Sequence, residues 1–263
     1  MECVVNVSEG REGEALDALT AAGGAALLDL HRDLHHNRAV FTLAGHAVEE
    51  AARRVARTAV ERLDLRTHQG VHPRIGVVDV VPFVPLEGST FDDALAARDR
   101  FAAWAGEVLD LPCFLYGPER PLPDLRRRAF RELTPDTGPP QPHPTAGGCA
   151  VGARGLLLAY NLWLDGGTLE DARRLAIAVR SERVRALGLV VGDHVQLSMN
   201  LLSPLDVGPK DVYDTVVVTA AIARAELVGL APRALLDATP KNRWAQLDLD
   251  VSRTIEARLG RRS

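Results

Sequence analysis

Two patterns of hydrophobic and polar positions recur along this chain, and together they predict a mixture of strands and helices. Runs rich in β-branched residues predict strands, and apolar residues that recur every three or four positions predict amphipathic helices. In the first half the patterns predict strands at 2–8, 25–30, 39–44, 75–83 and 112–116, and helices at 12–22, 46–63 and 90–108. The order up to residue 83 is therefore strand-helix-strand-strand-helix-strand, which is the order of a ferredoxin-like unit.

After a break, the second half again alternates predicted strands and helices. Between about 117 and 148, proline, glycine and charged residues replace the regular patterns, which is typical of a linker or a ligand-binding loop. Beyond it we predict strands at 156–164 and 194–202, helices at about 168–186 and 211–227, and a helical tail after Pro240. We therefore predict an α+β protein of two ferredoxin-like α/β-sandwich subdomains, residues 1–143 and 144–263, each a sheet covered by helices. A single mixed sheet is the alternative, because the sequence does not fix which strands pair.

Composition narrows the class of protein. The 263 residues are 46% hydrophobic and 25% charged with a net charge of -4, which is ordinary for a globular protein and argues against nucleic-acid binding. No apolar run approaches the roughly 18 residues of a membrane span, and the N-terminus lacks the layout of a signal peptide. We expect a cytoplasmic protein that binds neither nucleic acid nor membrane. Cys3, Cys113 and Cys149 lie far apart without a C-x-x-C motif, so neither a disulfide framework nor a metal site is predicted.

The segment 66–86 carries the strongest candidate chemistry. A polar loop with His68, His72 and Arg74 runs directly into an apolar strand that contains one carboxylate, Asp79. A loop anchored by a buried strand can hold an imidazole in place, and histidine exchanges protons near neutral pH. Pro73 restricts the backbone of the preceding His72. The alternatives are two solvated histidines on a surface loop and a structural ion pair for Asp79.

Two other places could bind a ligand. Asn37 and Arg38 lie at the beginning of a predicted strand, where an amide and a guanidinium can bind a polar group. The glycines at 138, 147, 148 and 152 allow a ligand to approach the backbone closely, but they form neither a dinucleotide fingerprint nor a phosphate loop. Nucleotide binding is therefore not predicted.

Several segments resemble the formiminotransferase domain family. The motif His68-Gln-Gly-Val-His72-Pro-Arg-Ile-Gly76 is the most specific of them. The others are Cys3–Arg11, Asn37–Gly45, Val77–Phe83, Phe114–Gly117, Pro135–Pro139, Gly152–Arg154, Ala159–Asn161, Val195–Leu202 and Glu226–Asp237. The resemblance extends in order over nearly the whole chain, without a cyclodeaminase domain.

The resemblance implies an activity. It implies a homodimer that transfers a formimidoyl group from N-formimidoyl-L-glutamate to N5 of tetrahydrofolate, its co-substrate, in histidine degradation. His72 corresponds to the family's catalytic histidine, which acts first as general base and then as general acid. Two other residues are predicted to take part in catalysis. Asp79 is the candidate that binds the cationic formimidoyl group. Arg74 is predicted to bind the glutamate carboxylates together with Arg38.

The resemblance also implies a folate-binding loop at 138–147. The residues predicted to bind substrate or folate are Asn37, Arg38, His68, Gly138, Pro139, Pro140, Gln141, Pro142, His143, Pro144, Thr145, Ala146 and Gly147. This loop departs from the family, which often has an aromatic residue and Trp-Gly-Ala here. Two alternatives therefore stay open: a transferase that uses N-formylglutamate, and a catalytically retired paralogue that binds folate or a partner.

Overall fold

Two compact units make up the chain. The computed structural model describes residues 1–70 and 73–260, and the units divide between Arg154 and Gly155. The sequence placed this division between residues 143 and 144. The described residues form two separate sheets with helices, so the predicted α+β class is confirmed and the single mixed sheet is wrong.

The first unit is built on a six-stranded sheet. Its strands are β1 (Glu2–Val7), β2 (Leu27–Asp33), β3 (Arg38–Ala44), β4 (Val78–Val84), β5 (Cys113–Tyr116) and β6 (Cys149–Ala153). Its helices are α1 (Glu14–Gly23), α2 (Val48–Arg62), α3 (Phe91–Val108) and α4 (Leu122–Arg128). The strands lie in the order β2-β3-β1-β4-β6-β5. The first four pair antiparallel, whereas β6 pairs parallel with both β4 and β5.

Local sequence explains the helices of this unit. Thr90 accepts a hydrogen bond from the Asp93 backbone while the Asp93 carboxylate accepts one from the Thr90 backbone, so α3 begins with a capping box. The apolar stripes of α2 and α3 are buried against the sheet together with Phe41 and Phe83. The strand β6 and the seven-residue helix α4 were not predicted. In α4 the buried residue is Leu125, so its sequence carries little amphipathic pattern.

The second unit is built on a four-stranded sheet. Its strands are β7 (Leu158–Leu164), β8 (Val184–Val191), β9 (His194–Leu201) and β10 (Ile222–Val228). Its helices are α5 (Leu169–Val179), α6 (Pro209–Val217), α7 (Arg233–Asp237) and α8 (Ile255–Gly260). The strands lie in the order β10-β7-β9-β8 and all neighbours are antiparallel. The first four strands of the first unit have this same order in their own numbering.

Two predicted helices of the second unit extend too far. The helix predicted at 168–186 ends at Val179, and residues 184–191 form β8 instead. The helix predicted at 211–227 ends at Val217, and residues 222–228 form β10. Arginine, alanine and leucine in these stretches have high helix propensity, but pairing with β9 and β7 in the sheet outweighs it.

The described residues also bear on membranes, metals and thiols. Over 1–70 and 73–260, no helix is long and apolar enough to cross a membrane. Within the same residues, no group of three or more histidine, cysteine, aspartate or glutamate side chains is arranged to hold a metal ion. Cys3, Cys113 and Cys149 are buried free thiols.

Candidate active site

The candidate catalytic segment, residues 66–86, begins in the loop after α2 and includes β4. His72, the predicted catalytic histidine, lies outside the described residues together with Val71. The residues on both sides of it are described. They show how the protein holds this segment and which predicted residues it brings together.

Asn37 joins three segments of the first unit. It lies in the turn between β2 and β3 in a left-handed conformation (φ 46°) and is 2% exposed. Its Oδ1 accepts a hydrogen bond from the Gly10 amide at 2.9 Å, and its Nδ2 donates to the Gln69 carbonyl at 2.8 Å. The residue was predicted to bind a ligand, but the structure places its amide among backbone groups of the protein.

His68 contacts the same turn. Its Nε2 lies 3.0 Å from the backbone oxygen of Asn37, and since a carbonyl can only accept, Nε2 carries the proton. Its Nδ1 is buried and has no hydrogen-bond partner among the described residues. Burial lowers the pKa of this imidazole, and the charge of Arg74 acts in the same direction, whereas the bond to Asn37 opposes the shift. His68 is therefore held as a neutral ring near neutral pH.

Arg74 contacts the backbone of its own loop. Its guanidinium donates to the Gly70 carbonyl at 3.0 Å and to the His68 carbonyl at 3.4 Å. The side chain thus spans the loop that contains the predicted catalytic histidine. The sequence predicted that Arg74 meets a substrate carboxylate; the contacts observed here hold the loop.

Asp79 is buried at the beginning of β4. It is 1% exposed, its Oδ1 accepts a hydrogen bond from the Ile75 amide at 2.8 Å, and its Oδ2 pairs with the Arg126 guanidinium of α4. Arg126 also donates to the Pro73 carbonyl. Burial lowers the pKa of Arg38, and the negative charge of Asp79 opposes that shift. The Asp79 carboxylate therefore interacts electrostatically with the Arg38 guanidinium. Both Asp79 oxygens are thus engaged within the protein.

The predicted folate-binding loop is anchored at both ends. At its beginning, the Thr137 hydroxyl donates to the Ala102 carbonyl of α3 at 2.8 Å, directly before Gly138. At its end, the Ala146 carbonyl accepts from the Val77 amide at 2.9 Å. A Cβ added at Gly76 would lie 1.9 Å from the Gly148 carbonyl oxygen, so only glycine allows this approach. The end of the loop therefore packs directly on the candidate catalytic segment.

A tight turn closes the end of this loop. His143 and Gly147 exchange two backbone hydrogen bonds, at 2.8 and 3.0 Å. Within the turn, the His143 Nδ1 accepts from the Ala146 amide at 3.0 Å and from the Thr145 amide at 3.3 Å. The remaining loop residues lie nearer the surface: Pro139 is half-buried, and Pro140, Gln141, Pro142 and Pro144 are exposed.

The structure brings many of the predicted residues together and adds others. Asn37 contacts His68 and Gln69, and residues 146–148 contact residues 75–77. Two polar residues at the segment were missed: Arg126, and Ser8, whose hydroxyl donates to the Gly76 carbonyl at 2.8 Å. The three consecutive arginines at 126–128 were a signal in the sequence, but without a predicted helix nothing distinguished one of them.

Comparisons with known proteins identify related chains. The family model described as the formiminotransferase domain, N-terminal subdomain, matches residues 1–154. A glutamate formimidoyltransferase of Streptococcus pyogenes is 34% identical over 271 residues, covering 90% of this chain and 91% of the relative. One of Thermoplasma acidophilum is 31% identical over 274 residues, covering 90% of each. The formimidoyltransferase-cyclodeaminase of Sus scrofa is 34% identical over 278 residues, which are 90% of this chain and 51% of that protein.

Proposed function

Because this chain belongs to the formiminotransferase family, we propose that it is a glutamate formimidoyltransferase, which transfers the formimidoyl group of N-formimidoyl-L-glutamate to N5 of tetrahydrofolate. The observation that carries the proposal is similarity along nearly the full length to stand-alone enzymes with that name, at 34% and 31% identity. The proposed reaction belongs to histidine degradation. Tetrahydrofolate is the acceptor and is consumed as a co-substrate.

His72 is the proton carrier in this proposal. The N5 amine of the folate attacks the amidine carbon, and a new carbon–nitrogen bond forms while the imidazole takes the proton from N5. The bond between that carbon and the glutamate nitrogen then breaks, and the imidazole returns the proton to the departing nitrogen. One histidine positioned between the two nitrogens serves both steps. The described residues that flank it are held by hydrogen bonds at Gln69, Gly70, Pro73 and Ile75.

The glutamate part of the donor carries carboxylates, whereas the chain as a whole has a net charge of -4. The binding site for these carboxylates therefore needs positively charged side chains of its own. Arg38 is the candidate for one of these carboxylates. It is half-buried at the beginning of β3, and a guanidinium keeps its charge even when burial lowers its pKa. Arg74, on the loop itself, is the second candidate. The folate is assigned to residues 138–147, whose end contacts the catalytic segment.

The test is a transfer assay with the purified chain, tetrahydrofolate and N-formimidoylglutamate. We expect formimidoyltetrahydrofolate to form, and a His72→Ala variant to lose about two to four orders of magnitude of rate. His35→Ala is the matched control, because His35 is an exposed histidine in the turn between β2 and β3. A His72→Ala variant with full turnover would remove the proposed mechanism.

Two further outcomes would change the assignment. N-formylglutamate is assayed beside the formimidoyl donor, and preferential turnover of the formyl compound would identify a formyl transferase. Calorimetry with tetrahydrofolate reports binding independently of turnover. Binding without transfer from either donor would indicate a retired folate-binding paralogue, and the absence of both binding and transfer would contradict the proposal.

The homodimer and the cytoplasmic location remain part of the proposal. Both follow from the resemblance to the family. Light scattering coupled to size-exclusion chromatography tests the first: we expect about twice the chain mass of 28.4 kDa. Elution at the mass of one chain over the working concentration range would contradict the dimer.

A further inference from the structure

Arg126 reaches from α4 to two points of the candidate catalytic segment. One terminal nitrogen pairs with the Asp79 carboxylate at the beginning of β4, and the other donates to the Pro73 carbonyl. Asp79 in turn accepts from the Ile75 amide at 2.8 Å. The three contacts close a ring that contains the backbone from Pro73 to Ile75, and each contact depends on the position of the other two.

The chemistry of this ring requires an arginine. Asp79 is 1% exposed, and a carboxylate so deeply buried is costly unless a cation and hydrogen-bond donors surround it. The two terminal nitrogens of a guanidinium lie in one plane at a fixed separation, so they fix the direction of the Pro73 carbonyl relative to the carboxylate. A lysine at position 126 could supply the charge but not this two-point geometry.

Other side chains hold the part of the segment that precedes residues 71–72. The Gly70 carbonyl accepts from Arg74 at 3.0 Å, and the Gln69 carbonyl accepts from Asn37 at 2.8 Å. Backbone groups are thus anchored both before and after residues 71–72. Pro73 is joined to His72 by a peptide bond, so among the described residues the Arg126 contact is the anchor nearest in the chain to the proposed catalytic histidine.

We propose that Arg126 is a positioning residue for the reaction: with Asp79 it fixes the backbone of Pro73–Ile75, the described residues that directly follow the proposed catalytic histidine in the chain. The inference rests on the proposed function for its effect on catalysis. It also assigns Asp79 a positioning role in place of direct contact with the formimidoyl group. Both residues act through the loop.

The helix α4 supplies its own controls. Arg127 pairs with Asp124, and Arg128 pairs with Glu132; the two arginine side chains are 74% and 47% exposed, against 20% for Arg126. Exposed pairs of this kind contribute little to stability. Substitution of Arg127 therefore changes the same helix by the same chemistry without touching the segment.

The kinetic test compares Arg126→Lys and Arg126→Met with Arg127→Lys and Arg127→Met. We expect both Arg126 variants to lower kcat by about 10- to 100-fold with KM for both substrates changed less than about threefold, since displacement of a reacting group acts mainly on the chemical step. We expect the Arg127 variants to stay within about twofold of the parent. Full kcat in Arg126→Lys would overturn the proposal, because charge alone would then suffice.

A second measurement does not depend on activity. Hydrogen exchange of the Ile75 amide, followed by NMR, reports the bond to Asp79 directly. We expect faster exchange in Arg126→Met and no change in Arg127→Met. Unchanged exchange at Ile75 in Arg126→Met would overturn the proposal. The parent protein could also show slow exchange at Ile75, and Arg126→Met the expected faster exchange, while the parent has no transfer activity. That result would support the anchoring role of Arg126 and contradict the proposed function.

A double variant distinguishes a folding defect of Arg126→Met from the loss of its positioning role. Arg126→Met leaves Asp79 as an unpaired buried charge, which is strongly destabilising. The double variant Asp79→Asn with Arg126→Met contains no such charge and serves as the folded reference. We expect it to show the same loss of kcat as Arg126→Lys or a greater one; parental kcat in the double variant would contradict the role of the pair.

Discussion

The imidazole of His68 donates a hydrogen bond from Nε2 to the backbone carbonyl of Asn37, at 3.0 Å. This bond joins the turn between β2 and β3 to the loop that follows α2. The opposite ring nitrogen, Nδ1, is buried without a partner among the described residues. Protonation of Nδ1 would create a buried donor without an acceptor, so the folded protein favours the neutral ring.

Acid should therefore weaken the folded state through His68. Its pKa is lowered in the folded protein, so the unfolded chain binds the proton first as pH falls below about 6.5. By linkage, the stability that the neutral His68 ring contributes to the folded protein is complete above about pH 7. It is lost progressively as pH falls from 6.5 towards the lowered pKa. Urea unfolding at pH 7.5 and 5.5 measures the loss, and His68→Gln should reduce it. A His68 pKa at or above 6.5, measured by NMR, would contradict this prediction.

Asn37 should be more costly to remove than its position in a turn suggests. Asn37→Gly keeps a residue that accepts the left-handed backbone, but it deletes one buried and one partly buried hydrogen bond. We expect a loss of about 2 to 4 kcal/mol in the free energy of unfolding. Asn37→Ala should lose about 1 kcal/mol more, because alanine is strained at φ 46°. Denaturant titration measures both; equal stability of the alanine and glycine variants would show that backbone strain is absent.

Gly76 should tolerate no side chain. Gly76→Ala places a Cβ 1.9 Å from the Gly148 carbonyl oxygen, which forces the end of the predicted folate-binding loop away from the catalytic segment. We expect a loss of more than about 3 kcal/mol or failure to fold. Gly155→Ala is the matched control, because a Cβ there meets no atom within 4 Å. Thermal unfolding compares the two, and similar melting temperatures would contradict the close approach.

Disruption of the His143 turn should change the KM for tetrahydrofolate more than the KM for N-formimidoylglutamate. His143→Ala removes the Nδ1 that accepts from the Ala146 amide, so we expect the KM for tetrahydrofolate to rise about tenfold while the KM for N-formimidoylglutamate changes little. His143→Asn offers an amide oxygen near the position of Nδ1 and should restore most of the loss. Steady-state kinetics with each substrate varied in turn measure this, and equal effects on both KM values would remove the assignment of this loop to folate.

Local sequence predicted the elements that carry a clear pattern. The β-α-β-β-α-β order of the first unit follows from hydrophobic periodicity, and the segment with His68 and Arg74 stood out because polar residues and proline precede an apolar strand. The strands β8 and β10 could not be predicted in this way. Residues 184–187 and 222–227 contain arginine, alanine, leucine or glutamate, which favour helix locally, and pairing within the sheet outweighs this preference.

The partners of the site residues could not be read from the sequence either. Asp79 and Arg126 are 47 positions apart, and the amide of Asn37 contacts backbone groups 27 and 32 positions away. Such contacts are determined by how the strands are arranged. Because Asn37 is polar and precedes a predicted strand, the sequence predicted that it binds a ligand. In the structure its amide instead joins three segments of the protein.

The shared strand order of the two sheets bears on the ancestry of the chain. Four strands in each unit follow the same order and the same succession of strands and helices, whereas β5, α4 and β6 have no counterpart among residues 155–260 of the second unit. Duplication of one ancestral gene segment would produce this arrangement, with a later insertion in the first copy. The insertion supplies Arg126 and residues 138–147. The residues assigned to loop positioning and to folate thus lie outside the part of the fold that the two units share.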